Sequence, residues 1–144
     1  MHMHTMTAPT PCLCAALRRA TRAVTRVYDD ALRPLDLRIT QFSLLRQLVR
    51  HGERTMRELA AIVVVEETAL NRAVRGLESR GWVAIRTGAD RRERVLAITA
   101  SGRALLAEAT PLWEAVQARM SAELGGDWQV LMASLGAVTA SAAP

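Results

Sequence analysis

The stretch "LNRAVRGLESRGWVAIRTGADRRERVLAIT" (residues 70–99) decides the fold. At about 100° per residue, Leu70, Ala73, Val74 and Leu77 fall on one arc of a helix, while Thr68, Asn71, Arg72, Arg75 and Ser79 fall on the other. The spacing predicts a helix from about Glu66 to Arg80, with Gly81 in the C′ role that ends it. Its outer face is built for hydrogen bonding. After Gly81 come "WVAIR" and "RVLAI", two short β-branched runs separated by "TGADRRE", which read as a hairpin. The tip packs Arg91, Arg92 and Arg94 around Asp90.

Upstream, Thr55 opens a short helix, and Glu58 three positions later completes a capping-box signature, with Leu59 and Ile62 facing inward. Before it, a helix with Thr40 as N-cap carries Phe42, Leu45, Leu48 and Val49 inward until "HGE" (51–53) breaks it. From Leu13, the apolar positions Leu13, Leu17, Ala20, Val24, Val27 and Ala31 alternate steps of four and three, a helix with a coiled-coil-like seam that Pro34 stops. Residues 1–10 read as a flexible tail. Downstream, a long helix is expected from about Thr99 to Glu123, with Leu105, Ala109, Leu112, Val116 and Met120 on one stripe and Pro111 kinking it. "GGD" (125–127) separates a last amphipathic helix with Trp128, Leu131, Met132, Leu135 and Val138, and "TASAAP" frays off.

Composition agrees with a mainly α fold with a small β-wing. Half of the 144 residues are apolar, which argues against disorder, and aromatics are 3% of the chain, which favours helix packing over an aromatic-rich sandwich. A net charge of +5 suits a polyanionic partner. No apolar run approaches the roughly 20 residues of a membrane span, and the N-terminal stretch lacks the apolar region of a signal peptide; no membrane partner and a cytoplasmic location are therefore expected. Three histidines, with no Gly-rich phosphate loop, paired-carboxylate cleft or Ser/His/Asp arrangement, point away from an enzyme. No cofactor is required.

Helix, helix, outward-polar helix and basic hairpin, in that order, make a winged helix-turn-helix, to which the family resemblance given below adds a helical dimerisation region. A major groove admits an α-helix, so Thr68, Asn71, Arg72, Arg75 and Ser79 are candidates to contact double-stranded DNA. The hairpin is the wing: Arg91, Arg92 and Arg94 are the candidate groove and backbone contacts, with Asp90 orienting Arg92. The chain resembles the MarR family of bacterial transcriptional regulators in "ITQFSLLRQL" (39–48), "MRELAAIV" (56–63), "LNRAVRGLESRGWV" (70–83), "DRRERVLAIT" (90–99) and "SGRALL" (101–106). The resemblance implies an obligate homodimer with interleaved terminal helices and a pseudo-palindromic DNA site. It divides the chain into a dimerisation helix (11–37), a winged DNA-binding domain (38–98) and C-terminal dimerisation helices (99–144). One departure is Glu66-Glu67 at the start of the presumed recognition helix. Carboxylates suit the helix dipole but repel phosphates, so reduced affinity is expected; a glutamate also accepts from cytosine N4.

Cys12 and Cys14, one residue apart, are no disulfide framework for a secreted fold. The segment "CAALRRATRAVTRVY" (14–28) resembles the organic-hydroperoxide-sensing branch of the family, which implies Cys14 as the reactive thiol and Tyr28 as its hydrogen-bonding tyrosine. That branch has further tyrosines where this chain carries Arg18 and Ile39. Three readings of the pair stay open: packed apolar residues, an oxidant sensor, or a soft-metal or metalloid site shared across a dimer. The resemblance also implies a pocket for a small aromatic effector between the dimerisation helices and the winged domain, with Arg22, Phe42, His51 and Trp113 as candidate lining. Two functions follow: a regulator, usually a repressor, released by an oxidant or small ligand, or an architectural DNA-binding protein with no switch.

Overall fold

The computed structural model describes residues 10–143. The expected tail at 1–10 therefore lies, but for its last residue, outside the described residues. Helix α1 (Leu13–Leu32) starts from Cys12, whose Sγ accepts from the Ala15 N–H at 3.5 Å. A 3₁₀ turn (Arg33–Leu35) carries Pro34 beyond the helix end, as a ring that cannot continue the α ladder requires. Helix α2 (Ile39–His51) then begins earlier than the sequence suggested: Arg38, not Thr40, is its N-cap. Gln41 Oε1 accepts from the Arg38 N–H at 3.0 Å, and Asp29 Oδ1 of α1 accepts from the Ile39 N–H at 2.8 Å. Two side-chain acceptors reaching back over the first turn move the start by two residues.

A two-residue strand β1 (Arg54–Thr55) leads into helix α3 (Met56–Val63), where the capping box forms as expected: Thr55 Oγ1 accepts from the Glu58 N–H, and Glu58 Oε1 from the Thr55 N–H, both at 3.1 Å. Val64 ends α3 in the left-handed region (φ 57°). Helix α4 (Glu67–Ser79) has Glu66 as N-cap and Arg80 as C-cap, and Gly81 follows at φ 78°, a conformation that glycine adopts without strain. Strands β2 (Val83–Thr87) and β3 (Arg94–Ile98) form the hairpin, in register from Val83 opposite Ile98 to Thr87 opposite Arg94. β1 adds to the other edge of β3, giving an antiparallel sheet of order β1-β3-β2.

Helix α5 (Ala100–Leu124) is capped by Thr99 Oγ1, which accepts from the Gly102 N–H, and it continues through Pro111. Helix α6 (Asp127–Ala142) runs further than expected: "TASA" stays helical instead of fraying, since alanine is the best helix former and Thr139 Oγ1 bonds back to the Leu135 carbonyl.

One apolar core joins these elements. Leu32, Phe42, Leu45, Leu48, Leu59, Leu70, Val74, Leu77 and Leu96 are all but fully buried, and no polar or charged residue among the described residues is. Three residues expected to face inward lie outside it; Ile62 of α3 is only half-buried. The buried arc of α2 is turned toward Leu44, which leaves Val49 exposed at its edge. Ala73 is also exposed, where a single methyl lines a shallow groove with Ile39 and Leu44. By contrast, α6 buries none of its residues and α1 only Tyr28 and Leu32, so the seam from Leu13 to Val24 is open.

Candidate nucleic-acid interface

The helix-turn-helix and the wing enclose a cleft of about 590 Å³ lined by residues from three elements. α3 and its cap contribute Thr55, Met56 and Arg57; α4 contributes Glu67, Thr68 and Asn71; the wing contributes Asp90, Arg92, Glu93 and Arg94. The capping box fixes the first turn of α3 on one side. On the other, the core anchors Leu70, Val74 and Leu77 of α4, which turns Thr68, Arg72, Arg75 and Ser79 to solvent and leaves Asn71 half-buried.

The wing tip is a closed turn. The Gly88 N–H donates to the Glu93 carbonyl at 3.0 Å and the Glu93 N–H to the Asp90 carbonyl at 2.9 Å. Asp90 Oδ1 accepts from the backbone N–H of Arg92 at 3.0 Å, so Asp90 acts on Arg92 through the shape of the turn and not by gripping its guanidinium. Arg94 folds back onto the carbonyls of Arg91 and Glu93 at 3.2 and 3.4 Å. Arg86 of β2 is held by Glu53 at 2.6 Å. Arg72, Arg75, Arg91 and Arg92 take part in none of the four ion pairs found among the described residues, and all four are exposed. The chain has no lysine, and all 19 of its Lys+Arg cations are arginine, the side chain whose planar fork suits phosphates and guanine edges.

Sequence reasoning missed Arg57, and of the Glu66-Glu67 pair that it singled out only Glu67 lines the cleft. Arg57 follows the α3 cap by two residues, and only the fold brings it opposite Asn71 and Arg92. Two titrations are displaced. The Thr55 backbone N–H, with help from its hydroxyl, holds the Glu58 carboxyl below the usual carboxylate range. Burial pushes the Tyr28 phenol up.

The candidate sensor residues are not one cluster within the chain. Cys12 and Cys14 are both exposed and unpaired, and Cys14 lines a groove of about 540 Å³ with Leu13, Leu17, Arg18, Thr21, Arg22, Val138 and Ala142. Tyr28 stands on the same helix, about 21 Å away along its axis at about 1.5 Å per residue. Its hydroxyl donates to Gln117 Oε1 of α5. No group of three or more His, Cys, Asp or Glu residues suited to a metal occurs among the described residues.

The candidate pocket residues are likewise dispersed. Phe42 is buried and stacks on Trp113 at 5.6 Å between ring centroids; Arg46 covers the other ring at 4.5 Å. His51 is the last residue of α2, and Arg22 lines the groove beside Cys14. Among the described residues, no helix is long and apolar enough to cross a membrane.

Comparison with known proteins follows the same lines. Residues 35–93, which contain every cleft residue except Arg94 at the start of β3, match the model of the MarR family. The chain is similar to the M. tuberculosis transcriptional regulator MosR crystallised in complex with DNA, at 40% identity over 91% of this chain and 98% of that one, with a TM-score of 0.81. A mutant MarR from E. coli complexed with operator DNA superposes with a TM-score of 0.79 at 25% identity, covering 88% of this chain and 92% of the other. An uncharacterised HTH-type transcriptional regulator of Bacillus subtilis, YwoH, is 30% identical over 83 residues, 58% of this chain. That match spans 61% of the YwoH chain.

Proposed function

This chain belongs to the MarR family of transcriptional regulators, and from that premise we propose that it is a homodimeric repressor whose two winged motifs bind a pseudo-palindromic operator. The observation that carries this reading is the cleft: an outward polar helix face and an unpaired arginine on the wing tip flank one concave surface. α4 lies in the major groove, with Thr68, Asn71, Arg72, Arg75 and Ser79 toward bases and phosphates. Arg91, Arg92 and Arg94 follow the backbone toward the minor groove, where negative potential is concentrated.

Residues 38–98 are the DNA-binding unit, and 11–37 with 99–144 form the dimer. The support for the dimer is apolar surface with no cover in one chain: Leu13, Val24, Val130, Leu131 and Met132 are exposed, and α6 buries nothing. Two-fold symmetry sets the half-sites about one helical turn apart. Release from DNA comes through an oxidant acting on Cys12 and Cys14; both thiols are exposed at the start of the dimerisation helix, where a change of covalent state reaches the seam at Leu13 and Leu17.

Fluorescence anisotropy on the DNA just upstream of the gene, against a shuffled control, tests the reading. Wild-type protein is expected to prefer the upstream DNA, and Arg92→Ala to weaken binding to all sequences and lower the salt slope by about one per lost phosphate contact. An organic hydroperoxide is expected to release wild-type protein but not Cys14→Ser. Equal affinity for both DNAs refutes the operator reading, and release of Cys14→Ser by oxidant refutes the thiol switch.

A further inference from the structure

Glu67 is the acidic residue of α4 that faces the cleft. It lies one turn before Asn71 on the same helix face, and both line the cleft with Thr68 and Arg92. Its neighbour Glu66 is the N-cap, in extended conformation and outside the cleft lining. Of the other carboxylates nearby, Glu58 is committed to the α3 capping box, Asp90 to the wing turn and Glu53 to Arg86, while Glu93, which also lines the cleft, belongs to the wing and has its carboxylate folded back beside Gly88. Glu67 takes part in none of the ion pairs among the described residues, and it is exposed.

A carboxylate in that place cannot meet a phosphate favourably. It is an acceptor only, so the bound state stabilises it only through a donor. The first residues of a recognition helix are those that reach base edges. In the major groove guanine offers two acceptors, thymine one acceptor and a methyl, and adenine a donor beside an acceptor; cytosine alone offers a donor, N4–H₂, with no acceptor.

We propose that Glu67 is a specificity-determining residue that selects a cytosine at one symmetry-related position in each half-site, by accepting from its N4–H₂ group. This rests on the DNA-binding reading above. Glu67 lowers affinity for DNA in general, because its charge opposes the backbone, and returns that loss only at the right base. It therefore sharpens discrimination rather than strengthening binding. Asn71, one turn further along, and Arg92, on the wing, supply the attraction that keeps the helix seated while Glu67 rejects thymine, guanine and adenine.

The test is selection from a randomised duplex library with wild-type protein, Glu67→Ala and Glu67→Gln, followed by anisotropy on the selected duplexes. Circular dichroism confirms that the exposed substitutions leave the fold intact. Wild-type protein is expected to select cytosine once per half-site and to lose on the order of tenfold in affinity when that pair becomes T·A. Glu67→Ala is expected to become indifferent at that position alone, while its binding to non-specific DNA rises. Glu67→Gln is expected to shift the preference to adenine, whose donor and acceptor an amide matches. Glu67→Ala that binds every duplex more tightly with an unchanged consensus overturns the proposal, leaving Glu67 as simple repulsion. Wild-type protein that selects no consensus at all overturns the DNA-reading function itself, and this proposal with it.

Discussion

Gly102 and Gly76 both lie inside helices, and the same substitution is expected to move stability in opposite directions at the two. Gly102 sits in the first turn of α5, packed against the residue that leads into β2 and the last residue of β3: a Cβ there would lie 2.3 Å from the Trp82 carbonyl oxygen and 2.8 Å from Ile98 Cγ1. Ordinary contact between carbon and a carbonyl oxygen is about 3.3–3.6 Å, so Gly102→Ala demands about 1 Å of movement from main chain. The neighbouring backbone is tied down: the Thr99 N–H bonds the Trp82 carbonyl, Thr99 Oγ1 donates to the Gly81 carbonyl, and the Gly102 N–H donates to Thr99 Oγ1. Overpacking of about 1–3 kcal/mol and a weakened cap of about 1 kcal/mol outweigh the roughly 1 kcal/mol of helix propensity that alanine adds. The net expectation is about 2 kcal/mol of destabilisation. At Gly76, in the middle of α4, a Cβ meets nothing within 4 Å, so only the propensity gain remains, about 1 kcal/mol of stabilisation. Urea unfolding followed by helical circular dichroism, at one fixed protein concentration because the proposed dimer would link stability to concentration, is expected to separate the two variants by about 3 kcal/mol. A Gly102→Ala protein as stable as wild type would refute the close approach of α5 to Trp82.

Asn71→Ala and Arg72→Ala are expected to change base preference by about 1–3 kcal/mol per lost pair when binding is measured on single-substitution operators; a uniform loss across sequences assigns them to phosphates instead. The Glu58 carboxyl is held low in the fold, so its contribution is present above its ordinary value of 4.5 and lost as pH falls through the lowered one. Glu58→Gln is therefore expected to flatten the acid limb of a stability–pH profile below 4.5. Tyr28 behaves in the opposite sense. Burial raises its phenol above the ordinary 10.0, so its contribution is present below that value and lost as pH rises through the folded one. Tyr28→Phe is expected to lose about 1 kcal/mol at neutral pH, from the missing bond to Gln117, and to flatten the alkaline limb.

What was legible in the sequence is what is decided locally. Thr55 with Glu58, Gly81 at the end of α4, and the two β-branched runs around a Gly-Ala-Asp tip act within a few residues of themselves, and each forms where it was expected. What was not legible depends on partners distant in the chain. Strand β1 is two residues long and exists because Arg54 and Thr55 meet Leu96 and Val95. The start of α2 is fixed by Asp29 from another helix. The polar face of α4 was readable from its period, whereas the meeting of Arg57, Glu67 and Arg92 was not, because periodicity says which face a residue takes and nothing of what stands opposite. The end of α6 was misread for a simpler reason: small residues were taken for a frayed tail where their helix propensity prevails.

The same distant contacts explain how the reading head is held. Arg80, the C-cap of α4, lies over the Trp82 ring at 4.3 Å and reaches Asp36 Oδ2 at 3.4 Å, in the loop between α1 and α2. Trp82 in turn supplies the carbonyl against which α5 begins, with Gly102 making room. α4 is thus tied at its C-terminal end to the loop between α1 and α2 and, through Trp82, to the start of α5, while its N-terminal half is held by Leu70 in the core and by the turn at Val64. In the proposed two-fold dimer a displacement at these contacts is expected to move both reading heads by the same operator, so that its effect appears as a change in preferred half-site spacing when binding is measured on operators of altered spacing.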